Sequence, residues 1–294
     1  MRPTVPAAAL LAALLWGCLC AAPLTRACAA DRSFITSDGV RLHYTDQGQG
    51  HTIVLVPGWR MPGWIFAAQI AAFSRNFRVI AFDPRSQGDS EVAPSGYEPF
   101  RRGQDIAELL RQVGDPEPLV LGWSLGVLDV LAYVHQFGDA QIAGLVLVDN
   151  SVGEEPAPLP TPPPRRGRLP RRRPSHALAM RAFVLSMFRT PQPPDFIDRL
   201  TEATLHTPPR AAAALLAYPV PRSFWKAAIY STEKPILYLV TPRFEGQAGN
   251  LAAHHPGAES VVLRGVGHAM FVDDPGRFDG LVLDFVRRRM WGRK

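Results

Sequence analysis

Apolar residues recur along this 294-residue chain in short unbroken runs, separated by stretches with helical spacing. Ser33–Thr36 and Val40–Tyr44, joined through Ser37-Asp38-Gly39, alternate as an antiparallel hairpin does. His51–Val56, Arg78–Phe82, Pro118–Leu121, Ile142–Val148, Ile236–Val240 and Ser260–Leu263 are short apolar runs that read as buried strands. Between them, Trp64–Phe73, Phe100–Val113, Val127–Phe137, Gln247–His254 and Arg277–Arg289 place apolar side chains one helical turn apart. Strands without polar alternation are covered on both faces. The pattern therefore predicts an α/β fold: a mostly parallel, eight-stranded sheet with helices on both sides.

The rhythm breaks after the sixth strand. Gly153–Pro174 contains eight prolines and six arginines, which predicts an exposed, extended loop. Helical spacing resumes over Ser175–Phe188, Asp195–Leu205 and Arg210–Tyr218, with no strand signal before Pro235. Residues 31–152 and 231–294 thus read as one core, and 153–230 as a Pro/Arg-rich loop followed by a helical cap inserted into it.

Residues 1–30 stand outside the fold pattern. Arg2 precedes an apolar run, and Ala27-Cys28-Ala29 fits the small-x-small rule for cleavage, so this stretch reads as a signal peptide cut near Ala29. The expected location is periplasmic or secreted. A retained anchor and lipid modification at Cys18 are the competing possibilities. Cys18, Cys20 and Cys28 are all inside this segment, so its removal would leave no thiol for a disulfide, a nucleophile or a metal.

The net charge of +6 invites a nucleic-acid partner, but its distribution argues otherwise. Two basic residues fall in 1–30 and six in 154–174, leaving 24 basic against 24 acidic residues in the body. No nucleic-acid partner is expected. The arginines of Arg165–Arg173 fit weak contact with an anionic surface.

Gly122-Trp123-Ser124-Leu125-Gly126 lies between a predicted strand and a predicted helix. A serine between glycines at such a turn is held strained and exposed, as a nucleophile must be. A hydroxyl near neutral pH needs an adjacent base. His268 is the best candidate, in the glycine-rich loop Gly265-Val266-Gly267-His268 after the last strand. Two backbone donors must hold the oxyanion. The expected pair is the amide of Leu125 and that of Trp59 in Pro57-Gly58-Trp59-Arg60. Met61 and Trp123 are expected to line an apolar pocket. His254-His255 lacks a spaced third ligand, and no dinucleotide or phosphate loop follows the first core strand, so neither metal nor cofactor is expected.

Together these residues resemble the α/β-hydrolase superfamily over nearly all of the chain after residue 30. The Gly-Trp-Ser-Leu-Gly elbow and the late Gly-His loop match, and Asp83-Pro84-Arg85-Ser86-Gln87-Gly88-Asp89-Ser90 looks like the family's Asp-x-Arg-Gly-x-Gly-x-Ser turn. Ser86 stands where that turn usually has glycine, and Pro57 where many members have histidine. The resemblance implies that Asp83 and Arg85 are a structural brace. It also implies a catalytic acid either past the seventh strand, where Glu245 is one residue late, or at the end of the sixth, where Asp149 stands. Asp149 is preferred and Glu245 is the alternative. The implied activity is that of a serine hydrolase acting on a small or medium apolar carboxylic ester or lactone. Cofactor-free haloperoxidase or perhydrolase chemistry is the alternative, as is a non-catalytic ligand-binding role. Haloalkane dehalogenase and epoxide hydrolase chemistry would need a carboxylate at position 124.

Overall fold

The computed structural model describes residues 29–157 and 175–291. Residues 1–28 and most of the Pro/Arg-rich loop, including Arg165–Arg173, lie outside the described residues. The sheet has eight strands: β1 (Ala30–Ile35), β2 (Arg41–Gly48), β3 (Thr52–Val56), β4 (Arg78–Asp83), β5 (Leu119–Trp123), β6 (Gly144–Val148), β7 (Ile236–Val240) and β8 (Ala258–Val262). Their order is β1-β2-β4-β3-β5-β6-β7-β8. β2 runs antiparallel to β1 and β4, and every later pair is parallel.

The unbroken apolar runs have a simple cause. Every residue of β3, β5, β6 and β7 is buried, and successive side chains enter opposite cores. Val54, Val56, Val120, Leu145, Leu147, Tyr238 and Val240 face one core. Ile53, Leu55, Leu119, Leu121, Trp123, Val146, Val148, Leu237 and Leu239 face the other. Each fully buried aliphatic side chain stabilises the fold by about 1.5–3 kcal/mol.

α1 (Ala67–Phe73), α2 (Pro99–Val113), α3 (Leu125–Phe137), α8 (Glu245–His254), α9 (Met270–Asp273) and α10 (Pro275–Arg289) cover the sheet. The predicted helix from Trp64 opens as a 3-10 turn over Gly63–Phe66 before becoming α1. Between β6 and β7 lie α4 (His176–Ser186), α5 (Pro194–His206), α6 (Pro209–Leu215) and α7 (Arg222–Tyr230). The sequence pattern predicts three helices there, and the structure adds α7. Pro219 and Pro221 mask it, yet Phe224, Trp225, Ala228 and Ile229 form its buried stripe. No helix of the described residues is long and apolar enough to cross a membrane.

Asp83 and Arg85 are both bracing residues, but they do not brace each other. Asp83 accepts from Gly63 N (2.5 Å), Asp89 N (2.8 Å) and the His43 ring (2.8 Å). Arg85 forks onto Asp105 at 2.6 and 2.7 Å and also reaches Asp38. Ser86, at the position of the usual glycine, adopts φ +63. Its hydroxyl meets Tyr97 Oη at 2.9 Å and accepts from Ala93 N at 3.0 Å, tethering the following loop and offsetting that strain.

Candidate active site

β5 delivers Ser124 into the sharp turn before α3, where it takes φ 55 and ψ −119. That left-handed backbone is strained for serine and aims its side chain out of the turn. The strain is held from two sides: Ser124 N donates to Val148 O at 2.9 Å, and the Asn150 side-chain amide donates to Ser124 O at 2.7 Å. The flanking glycines are required by close packing. A Cβ on Gly122 would stand 2.5 Å from Gly126 O, and one on Gly126 would drive into the Val56 carbonyl.

Ser124 Oγ lies 2.8 Å from His268 Nε2, and His268 Nδ1 lies 2.7 Å from Asp149 Oδ2. Three groups from loops after β5, β6 and β8 thus form one hydrogen-bonded chain at the carboxyl ends of the parallel strands. With the His268 proton on Nδ1, Nε2 is free to accept the serine proton. Asp149 is 3% exposed and itself left-handed, with φ +49. Its second oxygen accepts from Thr241 N and Thr241 Oγ at 2.7 Å each, which fixes the carboxylate. Burial, reinforced by the Asp149 charge, pushes the Tyr238 hydroxyl well above its ordinary pKa. That phenol donates to Asn150 O at 2.6 Å.

The other candidate acid is elsewhere. Glu245 opens α8 on the surface, where its carboxylate pairs with Arg264 at 2.6 Å. Met61 and Trp123, expected to line a pocket, are instead 0% and 1% exposed within the core. Strand parity explains Trp123: it follows Leu119 and Leu121 on the same face. Its indole N–H donates to His268 O at 2.9 Å, and the two rings lie 5.2 Å apart.

The loop after β3 reaches the serine directly, since a Cβ on Gly58 would stand 2.9 Å from Ser124 Cβ and 3.3 Å from Ser124 Oγ. Leu125 is the first residue of α3, where backbone amides have no intrahelical partner and the dipole is positive. Loop 57–61 and the α3 terminus thus meet beside one hydroxyl.

The cap grips both sides of this site. Trp59 Nε1 donates to Ala212 O at 2.8 Å, and its ring meets Phe183 edge-on at 5.1 Å. Asp273 accepts from Gly267 N of the histidine loop and from Arg189 N and Thr190 N of the cap. Burial pushes the Asp273 carboxyl up, but the Thr190 hydroxyl and these amides outweigh it and hold it below the usual range. Met187 O accepts from Ala269 N at 3.0 Å. Asn150 and Thr241 carry no motif of their own and are marked only by closeness to a candidate acid or a strand end, whereas Asp273, in Asp273-Asp274-Pro275 after the histidine loop, belongs to the family resemblance.

Two other features lie apart. A cavity of about 560 Å³ between residues 92–98 and α6 is lined by Tyr97, Pro208, Ala211 and Ala214, not by Ser124 or His268. His43, Asp83 and Asp89 form the one group among the described residues with metal-like spacing. Both Asp83 oxygens are already occupied by the amides and imidazole of the brace.

The chain is 34% identical over 98 residues to a soluble epoxide hydrolase from Corynebacterium sp., covering 33% of this chain and 34% of that protein. It is 30% identical over 114 residues to a non-heme chloroperoxidase from Kitasatospora aureofaciens, covering 38% and 42%. The matched segments thus span about a third to two fifths of these curated relatives. An esterase structure from Rhodococcus sp. superimposes with a TM-score of 0.73 at 25% identity, covering 88% of this chain and 99% of that one. The sequence pattern of the alpha/beta hydrolase family matches residues 53–280, and with its eight-stranded sheet and serine elbow this chain belongs to that family.

Proposed function

We propose that this protein is a serine hydrolase that cleaves a small or medium apolar carboxylic ester or lactone through an acyl-enzyme. The observation that carries the proposal is the unbroken chain from Ser124 Oγ through His268 to Asp149 Oδ2. Ser124 Oγ attacks the carbonyl carbon as its proton passes to His268 Nε2. The Leu125 and Trp59 amides receive the negative charge on the former carbonyl oxygen. Collapse expels the alcohol oxygen, which takes the proton from Nε2 and leaves an acyl-serine. Water attacks the acyl carbon, gives its proton to Nε2, and the carboxylic acid departs as Ser124 recovers its proton. Asp149 orients His268 and balances the positive charge the ring gains.

An apolar substrate is supported by partly buried aromatic side chains next in sequence to residues that touch the site. Trp59 follows Gly58, and Phe188 follows Met187, which is bonded to the histidine loop. Trp59, Phe183 and Phe188 are all only partly buried. Hydrolysis with a carboxylate nucleophile, as an epoxide requires, has no support at position 124. The similarity to a chloroperoxidase favours peroxide-dependent chemistry at the same serine as the second possibility.

The test is a panel of p-nitrophenyl esters and lactones on wild type and Ser124→Ala, with peroxide-dependent halogenation assayed alongside. Ester turnover lost in Ser124→Ala supports hydrolysis. Halogenation without hydrolysis favours the peroxidase chemistry, and equal fluorophosphonate labelling of both proteins points to a binding role. Export through residues 1–30 belongs to the same proposal, and N-terminal sequencing of protein from the cell envelope checks it.

A further inference from the structure

Arg60 is a buried cation without an acid. It is 2% exposed, and among the described residues no carboxylate lies within ion-pair distance. Its φ is +60, a left-handed conformation that strains any residue bearing a side chain. Burial alone pulls the guanidinium below its ordinary pKa. A strained backbone and a desolvated charge at one residue call for an explanation, and strain of this kind gathers at functional sites.

The compensation comes from the cap. Arg60 Nε donates to Thr204 O and Nη2 to Thr207 O, each at 2.7 Å, and Nη2 lies 3.3 Å from His176 Nε2. Thr204 is in the last turn of α5 and Thr207 is its C-cap. These carbonyls are the negative end of the helix dipole, the natural seat for a cation. The remaining contacts close a ring. Arg60 N donates to Gln87 Oε1, and Thr207 Oγ donates to Ser86 O at 2.7 Å, so loop 57–61, the turn after β4 and the cap are bound together. The guanidinium also lies 5.4 Å over the Trp59 ring. Trp59 is therefore pinned at its indole by Ala212 and at its next residue by α5.

We propose that Arg60 is a positioning residue for the oxyanion hole, locking loop 57–61 onto the carboxyl end of α5 so that the Trp59 amide is correctly placed only while the cap is docked. The proposal rests on the serine hydrolase assignment above. A lysine carries the charge and three donors on a single nitrogen, but not the planar fork that reaches two carbonyls from two nitrogens, Nε and Nη2.

The test compares wild type, Ser124→Ala, Arg60→Ala and Arg60→Lys on a p-nitrophenyl ester, with thermal unfolding measured on each. Arg60→Ala should lose about 10- to 100-fold in kcat, the scale of a small misplacement of a reacting group, while KM stays within about threefold. Millimolar guanidinium should restore part of that loss, and Arg60→Lys should fall between the two. Fluorophosphonate labelling, whose transition state uses the same donors, should slow in proportion. A wild-type kcat in Arg60→Ala, with only a lower unfolding midpoint, overturns the proposal. So does a kcat loss that guanidinium leaves untouched. If Arg60→Ala does not fold, Arg60→Lys and Arg60→Gln decide by the same kcat and KM comparison. Absence of Ser124-dependent turnover in wild type overturns the hydrolase assignment, and this role with it.

Discussion

The indole N–H of Trp123 donates to the backbone carbonyl of His268 at 2.9 Å, joining the residue before the serine to the histidine itself across 145 positions of chain. The bond removes one freedom from the histidine loop, and the adjacent rings at 5.2 Å oppose rotation of the imidazole. Trp123→Phe keeps the aromatic packing and removes the donor. A net hydrogen bond is worth about 1 kcal/mol, so we expect a stability loss of that order and a kcat reduced by up to about tenfold. Denaturant unfolding and steady-state kinetics measure the two. An unchanged kcat would confine Trp123 to the core.

Asp149 and Glu245 give opposite expectations. Asp149 is bonded to His268, whereas Glu245 is bonded to Arg264 at the surface. Asp149→Asn should lower kcat by about 10³- to 10⁴-fold, because the amide no longer fixes the productive tautomer. Glu245→Gln should stay within about twofold, as surface ion pairs contribute little. The reverse pattern on ester turnover would refute the placement of the acid.

The elbow tolerates no added methyl at Gly126, where a Cβ meets the Val56 carbonyl. Gly126→Ala should destabilise the fold by about 1–3 kcal/mol and lower kcat as well, since relief of the clash shifts the Ser124 turn against β3. Gly276→Ala, where a Cβ meets nothing within 4 Å, is the matched control. Equal unfolding midpoints for the two variants would contradict the packing argument.

The brace at His43 makes stability depend on pH. The Asp83 hydrogen bond, working against burial, holds the His43 imidazole above the ordinary histidine pKa, with Asp89 and Asp31 adding to it. A folded pKa above the unfolded value of about 6.5 means that the folded state holds the proton more tightly. This contribution is fully present below about pH 6.5 and disappears as pH rises through the folded pKa. His43→Gln should flatten that part of the profile. Denaturation midpoints from pH 6 to pH 9, on the scale where an unperturbed histidine loses its charge, check it.

Glu154 acts in the opposite direction at the base of the cap. Burial raises its pKa, but Lys226 at 2.8 Å, Tyr230 at 2.5 Å and the Glu155 amide outweigh that and bring it down to about 2. Its contribution is present above the unfolded pKa near 4.5 and is lost as pH falls toward 2. Glu154→Gln should therefore be less stable than wild type at pH 6 and converge with it in strong acid. A constant gap across that range would mean that packing, not charge, is what the glutamate supplies.

The sheet and the serine turn were legible along the chain, because both rest on local rules. Residues such as Ile53–Val56 and Gly144–Val148 must be buried on both faces wherever the chain places them, and Gly122 and Gly126 mark a turn that only small residues fit. His268 was legible for a similar reason, standing in a glycine-rich loop after the last strand. The acid was not. Asp149 and Glu245 are both polar residues near strand ends, and the pairing of Val148 with Leu239 is what seats Asp149 beside Thr241 and within reach of His268. Met61 and Trp123 show the same limit, since an apolar residue next to a nucleophile is compatible with either a pocket wall or a core. Strand parity and three-dimensional packing decided for the core. Arg60 carried no signal because its partners are main-chain carbonyls of a helix 144 and 147 residues away, and a carbonyl leaves no trace in sequence. What depends on a residue's own backbone and size can be read along the chain; what depends on which distant loop ends meet exists only once the sheet has closed.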